Sequence, residues 1–162
     1  MFASSPLDLS KVMLIPVKET DLPLLLAWRQ NPIVMAHFVD GFESWERHLT
    51  WFYGLRREIK ESFLIILDQR PVGEVHLNFE PGPIAVGIYI GDVTLWGKGV
   101  GSRAIEGVLA MLRERGYRGG VTAGVHPRNR RSQRMFEKVG FQFRTLKEDG
   151  YFEYSKDLST SL

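Results

Sequence analysis

Three glycines lie within five positions of the segment LWGKGVGSRA, directly before a run with the periodicity of an amphipathic helix. Gly97, Gly99 and Gly101 leave the backbone N–H groups of this loop clear of side chains, and the first N–H groups of a helix have no acceptor within it. A loop of this kind binds anions, because the helix dipole favours negative charge at its N-terminus. The segment therefore predicts a site for a phosphate-bearing molecule. The alternative is a flexible surface loop.

Two known phosphate-binding motifs resemble this loop but do not fit it. Residues 99–104 satisfy the dinucleotide pattern G-x-G-x-x-A, yet that motif needs an acidic residue about 20 positions later to bind the ribose. No carboxylate occurs between Glu114 and Glu137. The Walker A motif is excluded too, because Lys98 precedes the last two glycines and no Gly-Lys-Ser/Thr follows.

Polar side chains on two predicted strands could move protons. Alternation along VGEVHLN places four residues on one face of a strand: Val72, Glu74, His76 and Asn78. Glu74 and His76 are candidate bases, or holders of a water that relays a proton. Tyr89, on the next strand, is a candidate acid. The alternative for Glu74 and His76 is that this face of the strand is only solvated. The alternative for Tyr89 is that its ring only packs against its neighbours.

Composition narrows the chemistry further. The chain has no cysteine, which excludes disulfides, thiolate metal sites and a cysteine nucleophile, and we expect no metal cofactor. The net charge of +2 gives no argument for nucleic acid or membrane binding. Basic residues do crowd one short segment, namely Arg128, Arg130, Arg131, Arg134 and Lys138. No aromatic residue interleaves the four arginines, so a nucleic-acid site is not expected, and the alternative to a phosphate-binding role is a solvated helix face.

The hydrophobic periodicity predicts the elements that must position these residues. The expected strands are 11–17, 62–67, 72–79, 84–90, the segment YRGGVTAGV, and a hairpin of FQFRTL and YFEYSKDL. The expected helices are DLPLLLAWR with Thr20 as N-cap, a helix from Ser44 to Ile59, a helix of about four turns after the glycine loop that ends at Gly116, and RRSQRMFEKV between Asn129 and Gly140. The order β α α β β β α β α β β predicts an α/β (α+β) fold, a mixed, mostly antiparallel sheet with helices on both faces.

The 162 residues suffice for one well-filled core, and no linker or repeat divides them, so residues 1–162 are predicted to form a single domain with a core over about 12–156. No stretch has the roughly 18 apolar residues of a membrane span, and the first 14 residues lack the features of a secretory signal. We therefore expect a cytoplasmic protein.

The blocks GIYIGDVTLWGKGVGSRAIEGVL and NRRSQRMFEKVGF together resemble the GNAT family of N-acetyltransferases, in the branch that acts on ribosomal proteins and polyamines. The family's pyrophosphate loop reads Arg/Gln-x-x-Gly-x-Gly/Ala, and Gly99 and Gly101 fill its glycine places, with Trp96 in place of the first residue. The resemblance implies a GNAT fold, acetyltransferase activity and acetyl-CoA as co-substrate.

The resemblance also implies the residues that bind acetyl-CoA. The strand edge at Ile88, Tyr89 and Ile90 would pair with the pantetheine amides. The backbone of the loop would take the pyrophosphate, through Gly97, Lys98, Gly99, Val100, Gly101 and Ser102. Asn129 and Ser132 would hydrogen-bond the pantetheine arm, and Arg134 with its basic neighbours would reach the outer phosphates.

Two family positions differ in this chain. Many relatives carry a glutamate where Ala85 stands and a tyrosine where Phe136 stands. Glu74, His76 and Tyr89 are the groups left to serve as base and acid. The departures also leave open a catalytically degenerate acyl-CoA-binding regulatory module.

The first helices resemble those of acetyltransferases acting on 4-amino sugars of sugar nucleotides, which implies Trp28, Arg29 and His48 as acceptor-binding residues. A sugar amine whose pKa is near the α-amine range of about 7.7–8.0 needs roughly 1 kcal/mol for deprotonation at pH 7, against about 4.6 kcal/mol for a lysine-like amine. For such a sugar amine, the absence of a glutamate at the position of Ala85 matters less. Other small amines and protein N-termini stay open as acceptors. A homodimer is also possible.

Overall fold

A computed structural model describes residues 7–38, 44–54, 59–80 and 82–159. Its strands are β1 (Val12–Pro16), β2 (Lys60–Leu67), β3 (Arg70–Asn78), β4 (Ile84–Ile90), β5 (Gly120–Val125), β6 (Gln142–Leu146) and β7 (Phe152–Asp157). Its α-helices are α1 (Leu22–Arg29), α2 (Trp45–Tyr53), α3 (Val100–Glu114) and α4 (Arg130–Lys138). The predicted order of strands and helices is confirmed. None of the described helices is both long and apolar enough to cross a membrane.

The seven strands form one sheet in the order β1-β2-β3-β4-β5-β7-β6, and every neighbouring pair is antiparallel except β4 and β5. These two strands run parallel and pair over two positions in the described chain, Ile84 with Val121 and Ala85 with Thr122. Beyond them each strand continues without pairing to the other. The sheet is therefore open between the C-terminal halves of β4 and β5.

Helices cover both faces of the sheet, because the side chains of β2 alternate between two cores. Ile65 packs in the large core with Ile105 of α3, and Leu64 packs on the opposite face with Leu25 of α1 and with Trp51. This alternation confirms the predicted α/β arrangement.

Two predicted boundaries were wrong. Thr20 does not cap α1, since it lies inside a 3₁₀ turn, Glu19–Asp21, and the helix begins at Leu22. The second helix starts at Ser44 as predicted, but it ends at Tyr53, where Gly54 forms its C-cap. The predicted continuation over 55–58 lies outside the described residues.

The predicted face of β3 also needs a correction. Pro71 and Gly73 pair with the consecutive residues Ile66 and Ile65, so Val72 is an extra residue in a β-bulge. Val72 packs in the large core with Val75 instead of sharing a face with Glu74. The bulge interrupts the period of two on which the prediction rested.

Candidate active site

A cavity of about 870 Å³ opens between the C-terminal halves of β4 and β5. One wall is β4 from Val86 to Ile90, and the facing wall is formed by Gly124, Val125 and the N-terminal part of α4. The glycine loop and the first turn of α3 close one end, and the segment 32–38 after α1 covers another side. The opening in the sheet and the cavity have the same cause, because β4 and β5 leave a gap that side chains do not fill where the two strands stop pairing.

The glycine loop has the backbone geometry that its sequence predicts. Gly97 and Gly99 have φ values of 76° and 87°, the left-handed region that side chains disfavour. Gly99 is the N-cap of α3, so the free N–H groups of the first turn begin at the cavity wall. A Cβ on Gly101 would lie 2.6 Å from Met135 Sδ, which shows how closely α4 approaches α3 here.

Cationic side chains surround this end of the cavity. The Arg131 guanidinium lies 3.6 Å from the centre of the Trp96 ring, whose Nε1 donates a hydrogen bond to the Ile90 carbonyl at 2.9 Å. Arg134 and Lys138 line the same cavity. Free helix N–H groups and three cations are the kind of groups that bind phosphates.

Eleven of the twelve residues expected to bind the cofactor line the cavity: Ile88, Tyr89, Ile90, Gly97, Gly99, Val100, Gly101, Ser102, Asn129, Ser132 and Arg134. Lys98 is exposed and lies outside the lining. Asn129 also caps α4, since its Oδ1 accepts the Ser132 N–H at 3.1 Å. The Asn129 side chain therefore has its amide nitrogen left for a ligand.

Glu74 is fully buried and belongs to a charged network under the cavity. Its two oxygens accept hydrogen bonds from Arg29 Nη2 at 2.9 and 3.2 Å, and Oε2 also accepts one from Ser62 Oγ at 2.7 Å. Burial raises the pKa of the Glu74 carboxyl, but the charge of Arg29, with His76 and the Ser62 hydrogen bond, outweighs it and lowers that pKa. Glu74 is therefore an ionised anchor, and the solvated-face alternative is wrong for it.

Tyr89 stands opposite Glu74 on the neighbouring strand and faces the cavity. Its ring meets Trp28 and Phe38 edge-on, each with centroids 6.1 Å apart. The hydroxyl is buried close to Arg29 and Glu74, and it makes no hydrogen bond of good geometry in the described chain. Burial, and secondly Glu74, raises the pKa of Tyr89 well above its usual range, so the hydroxyl keeps its proton.

The acceptor residues expected from the first helices do not line the cavity. Arg29 is committed to Glu74, and Trp28 packs over Gly91. His48 is fully buried, stacks on Trp51 and contacts the Leu22 carbonyl oxygen through Nε2 at 2.9 Å. Trp28 and Arg29 lie next to Tyr89 but outside the cavity lining, and the contact between His48 and Leu22 links α2 to α1.

A second group of residues lines the cavity where no sequence motif indicated them. His37 and His126 have ring centroids 5.2 Å apart, and Tyr151 donates a hydrogen bond to the His37 carbonyl at 3.1 Å. Burial, followed by His126 and the nearby arginines, lowers the pKa of His37. These residues come from three distant parts of the chain, so only the fold brings them together.

Residues 11–142 match the sequence model of the acetyltransferase (GNAT) domain, which is most of the chain. This chain belongs to the GNAT acetyltransferase family. The GNAT domain is 34% identical over 140 residues to an uncharacterized protein of Methanocaldococcus jannaschii. That alignment covers 82% of this chain but only 28% of the other protein.

Solved structures agree on the fold. A domain from Methanocaldococcus jannaschii is 29% identical with a TM-score of 0.84, covering 91% of this chain and 99% of that one. The spermidine N-acetyltransferase of Vibrio cholerae, solved with CoA and spermine, is 18% identical with a TM-score of 0.81, and the match covers 93% of this chain and 97% of that one. The predicted GNAT fold is confirmed.

Acetyl-CoA is the co-substrate of this family, and the cavity of the GNAT domain fits it. The free N–H groups of α3 with Arg131, Arg134 and Lys138 suit its phosphates, and the unpaired edge of β4 suits the amides of its pantetheine arm. When bound, acetyl-CoA supplies an activated acetyl group. In the described ranges no cluster of three or more His, Asp or Glu side chains could hold a metal ion.

Proposed function

We propose that this GNAT domain transfers the acetyl group of acetyl-CoA to a primary amine on a small molecule that carries no further positive charge, with an amino-sugar nucleotide as the favoured acceptor. One observation carries the proposal: among the described residues that line the cavity, none is aspartate or glutamate. The ionisable side chains of the lining are His37, Tyr89, His126, Arg131, Arg134, Lys138 and Tyr151.

This lining discriminates between classes of amine. A polyamine or an aminoglycoside carries several ammonium groups, and a lining without carboxylates offers them no partner of opposite charge. A sugar nucleotide needs no carboxylate in the lining, and its ring can stack on aromatic side chains such as Phe38 and Tyr151. The lining therefore supports an acceptor whose remainder is neutral or anionic.

The test is a thiol-release assay with acetyl-CoA and four acceptors: a 4-amino-sugar nucleotide, spermidine, kanamycin and a short peptide with a free N-terminus. We expect kcat/KM for the sugar nucleotide to exceed that for spermidine by roughly 100-fold, since 1.4 kcal/mol corresponds to tenfold. Equal or faster turnover of spermidine would contradict the acceptor class. The peptide arm tests a protein N-terminus.

A catalytically degenerate acyl-CoA-binding module is the second candidate, favoured by one observation. Phe136, which stands at the position of the family's tyrosine, is 2% exposed and packs on Phe141 in the core. Binding of CoA in calorimetry without turnover of any acceptor would support this candidate.

We assign Tyr89 a hydrogen bond to the reacting groups, because Tyr89 lines the cavity and its protonated hydroxyl makes no hydrogen bond of good geometry in the described chain. Tyr89→Phe is expected to lower kcat/KM about tenfold, the effect of losing one net hydrogen bond of about 1.4 kcal/mol. The affinity for CoA, measured by calorimetry, should stay within twofold of the wild type. An unchanged kcat/KM would remove Tyr89 from the reaction.

A further inference from the structure

We infer that His76 is the general base of the GNAT domain, with its imidazole seated in a notch left by the missing side chain of Gly87. The inference rests on the proposed function, since it concerns the proton that an acceptor amine must lose. It gives a role to a group that stands near the position where many relatives carry a glutamate and this chain has Ala85.

The notch follows from strand register. His76 and Gly87 stand opposite each other on β3 and β4. A Cβ on Gly87 would lie 2.2 Å from His76 Nε2 and 2.3 Å from Cε1, which is closer than any real Cβ contact. The imidazole therefore occupies the volume that any other residue at position 87 would fill.

The notch lies where the sheet opens. Gly87 lines the cavity, and it is two residues beyond Ala85, the last position of β4 that pairs with β5 in the described chain. The imidazole thus stands on the sheet face that also carries Glu74 and Tyr89, beside the origin of the gap between the two strands. His76 itself is not part of the cavity lining, but the residue of β4 between the imidazole and the cavity is Gly87, which has no side chain.

The imidazole is also chemically available. Its Nδ1 is buried without a partner, and the ring makes no hydrogen bond to any residue in the described part of the chain. Buried polar atoms are normally satisfied, so the Nδ1 of this histidine is available to a water, a ligand or a transferred proton. The Glu74 carboxylate, by contrast, accepts hydrogen bonds from Arg29 and Ser62.

The charges around the ring keep it neutral. Burial lowers the pKa of His76, Glu74 on the same strand opposes the shift, and Arg29 of α1 and Lys60 of β2 reinforce it. The net pKa lies below the ordinary value for histidine. Tyr89 on β4 holds its own proton. At pH 7 His76 is therefore in the form that can accept a proton.

The proposed step balances as follows. The lone pair of the neutral amine forms the C–N bond to the acetyl carbon, the C–S bond breaks, and sulfur leaves with the bonding pair as a thiolate. The nitrogen gives one proton to the imidazole, which becomes imidazolium. That proton then passes to the thiolate, directly or through solvent, and His76 is neutral again.

The first test is His76→Gln, which keeps a polar side chain but cannot titrate. We expect kcat/KM to fall about 100-fold, the lower end of the range for general-base catalysis, with unchanged affinity for CoA. The wild type should lose kcat/KM as the pH falls through the lowered pKa of His76, and this limb should vanish in the variant. Asn78→Ala is the matched control on the same strand, because Asn78 stands opposite Ala85, where β4 still pairs with β5, and its Oδ1 accepts the Glu80 N–H at 3.3 Å.

A double-mutant cycle tests the notch itself. Gly87→Ala alone should displace the ring and lower kcat/KM by an amount similar to His76→Ala. Gly87→Ala in the His76→Ala background should cost less than threefold, because the added Cβ then meets no imidazole. A full loss from Gly87→Ala in both backgrounds would overturn the notch.

Two readouts separate this inference from the proposed function. Turnover of any one amine is enough for the His76 measurements, so a wrong acceptor class does not affect them. NMR titration of the imidazole, assigned with His76→Gln, needs no turnover at all. A His76 that is protonated above pH 7, or a variant with wild-type kcat/KM and pH profile, would overturn the inference.

Discussion

Gly101→Glu is expected to weaken acetyl-CoA binding by about 100-fold, equivalent to about 2.7 kcal/mol. The added Cβ would lie 2.6 Å from Met135 Sδ and 4.0 Å from Ile88 Cδ1, so the side chain enters the space where α3, α4 and β4 line the cavity. A carboxylate at this position would also occupy the region of positive potential at the N-terminus of α3, where a phosphate would otherwise bind. Isothermal titration with CoA measures the effect.

Two control variants divide this effect into its parts. Gly101→Gln adds nearly the same volume without charge and should retain part of the affinity. Gly107→Glu places the same carboxylate on α3 at a position where the Cβ meets only Leu14 at 3.6 Å, and it should leave CoA binding within twofold. Wild-type affinity in Gly101→Glu would show that the loop and the first turn of α3 do not bind CoA.

Glu74→Ala is expected to lower the free energy of unfolding by about 3–5 kcal/mol, the usual result when one partner of a buried ion pair is removed. Glu74 is fully buried and Arg29 has a side-chain exposure of 15%, so the variant leaves a guanidinium charge inside the protein without its carboxylate. Urea denaturation followed by circular dichroism measures the loss. An effect below 1 kcal/mol would show that the pair does not stabilise the fold.

The matched controls use charge pairs of other kinds. Glu106→Ala breaks the Arg103–Glu106 pair, in which both side chains are 48% exposed, and should cost less than about 1 kcal/mol. The double variant Arg29→Leu with Glu74→Leu removes both charges, and we expect it to be more stable than Glu74→Ala. If the double variant is the less stable of the two, packing around the pair matters more than its charge.

The same pair predicts how stability depends on pH. The folded pKa of Glu74 is lowered relative to that of an unfolded glutamate, about 4.3. Its contribution is therefore fully present above that unfolded value and is lost as the pH falls through the lower folded pKa. Wild-type stability should drop below about pH 4 more steeply than that of the double leucine variant, in urea titrations at each pH.

Local patterns predicted well which residues line the cavity, because each pattern depends on residues close in sequence. The glycine loop, the start of α3 after Gly99 and the Asn129 cap of α4 need only a few consecutive residues. The family resemblance then related the loop to acetyl-CoA. Lys98 is the one loop residue whose side chain lies outside the cavity lining, and sequence alone does not tell which way a loop side chain points.

Patterns that need partners from distant parts of the chain were predicted less well. Glu74 and His76 were both candidate bases by alternation, yet one is held by Arg29, 45 residues earlier in the chain, and the other lies in the notch of Gly87. The bulge at Val72 is likewise a property of two paired strands. No pattern within β3 distinguishes these outcomes.

The amino-acid sequence by itself determined the order of strands and helices, the backbone of the glycine loop and the family, since these follow from short-range periodicity, capping and motif spacing. The tertiary structure decided where β4 and β5 separate, which charges become paired under the sheet, and that His37, His126 and Tyr151 meet at the cavity. The physical reason is that burial and charge pairing depend on register and packing between distant segments, and these set the pKa of each group and its access to substrate.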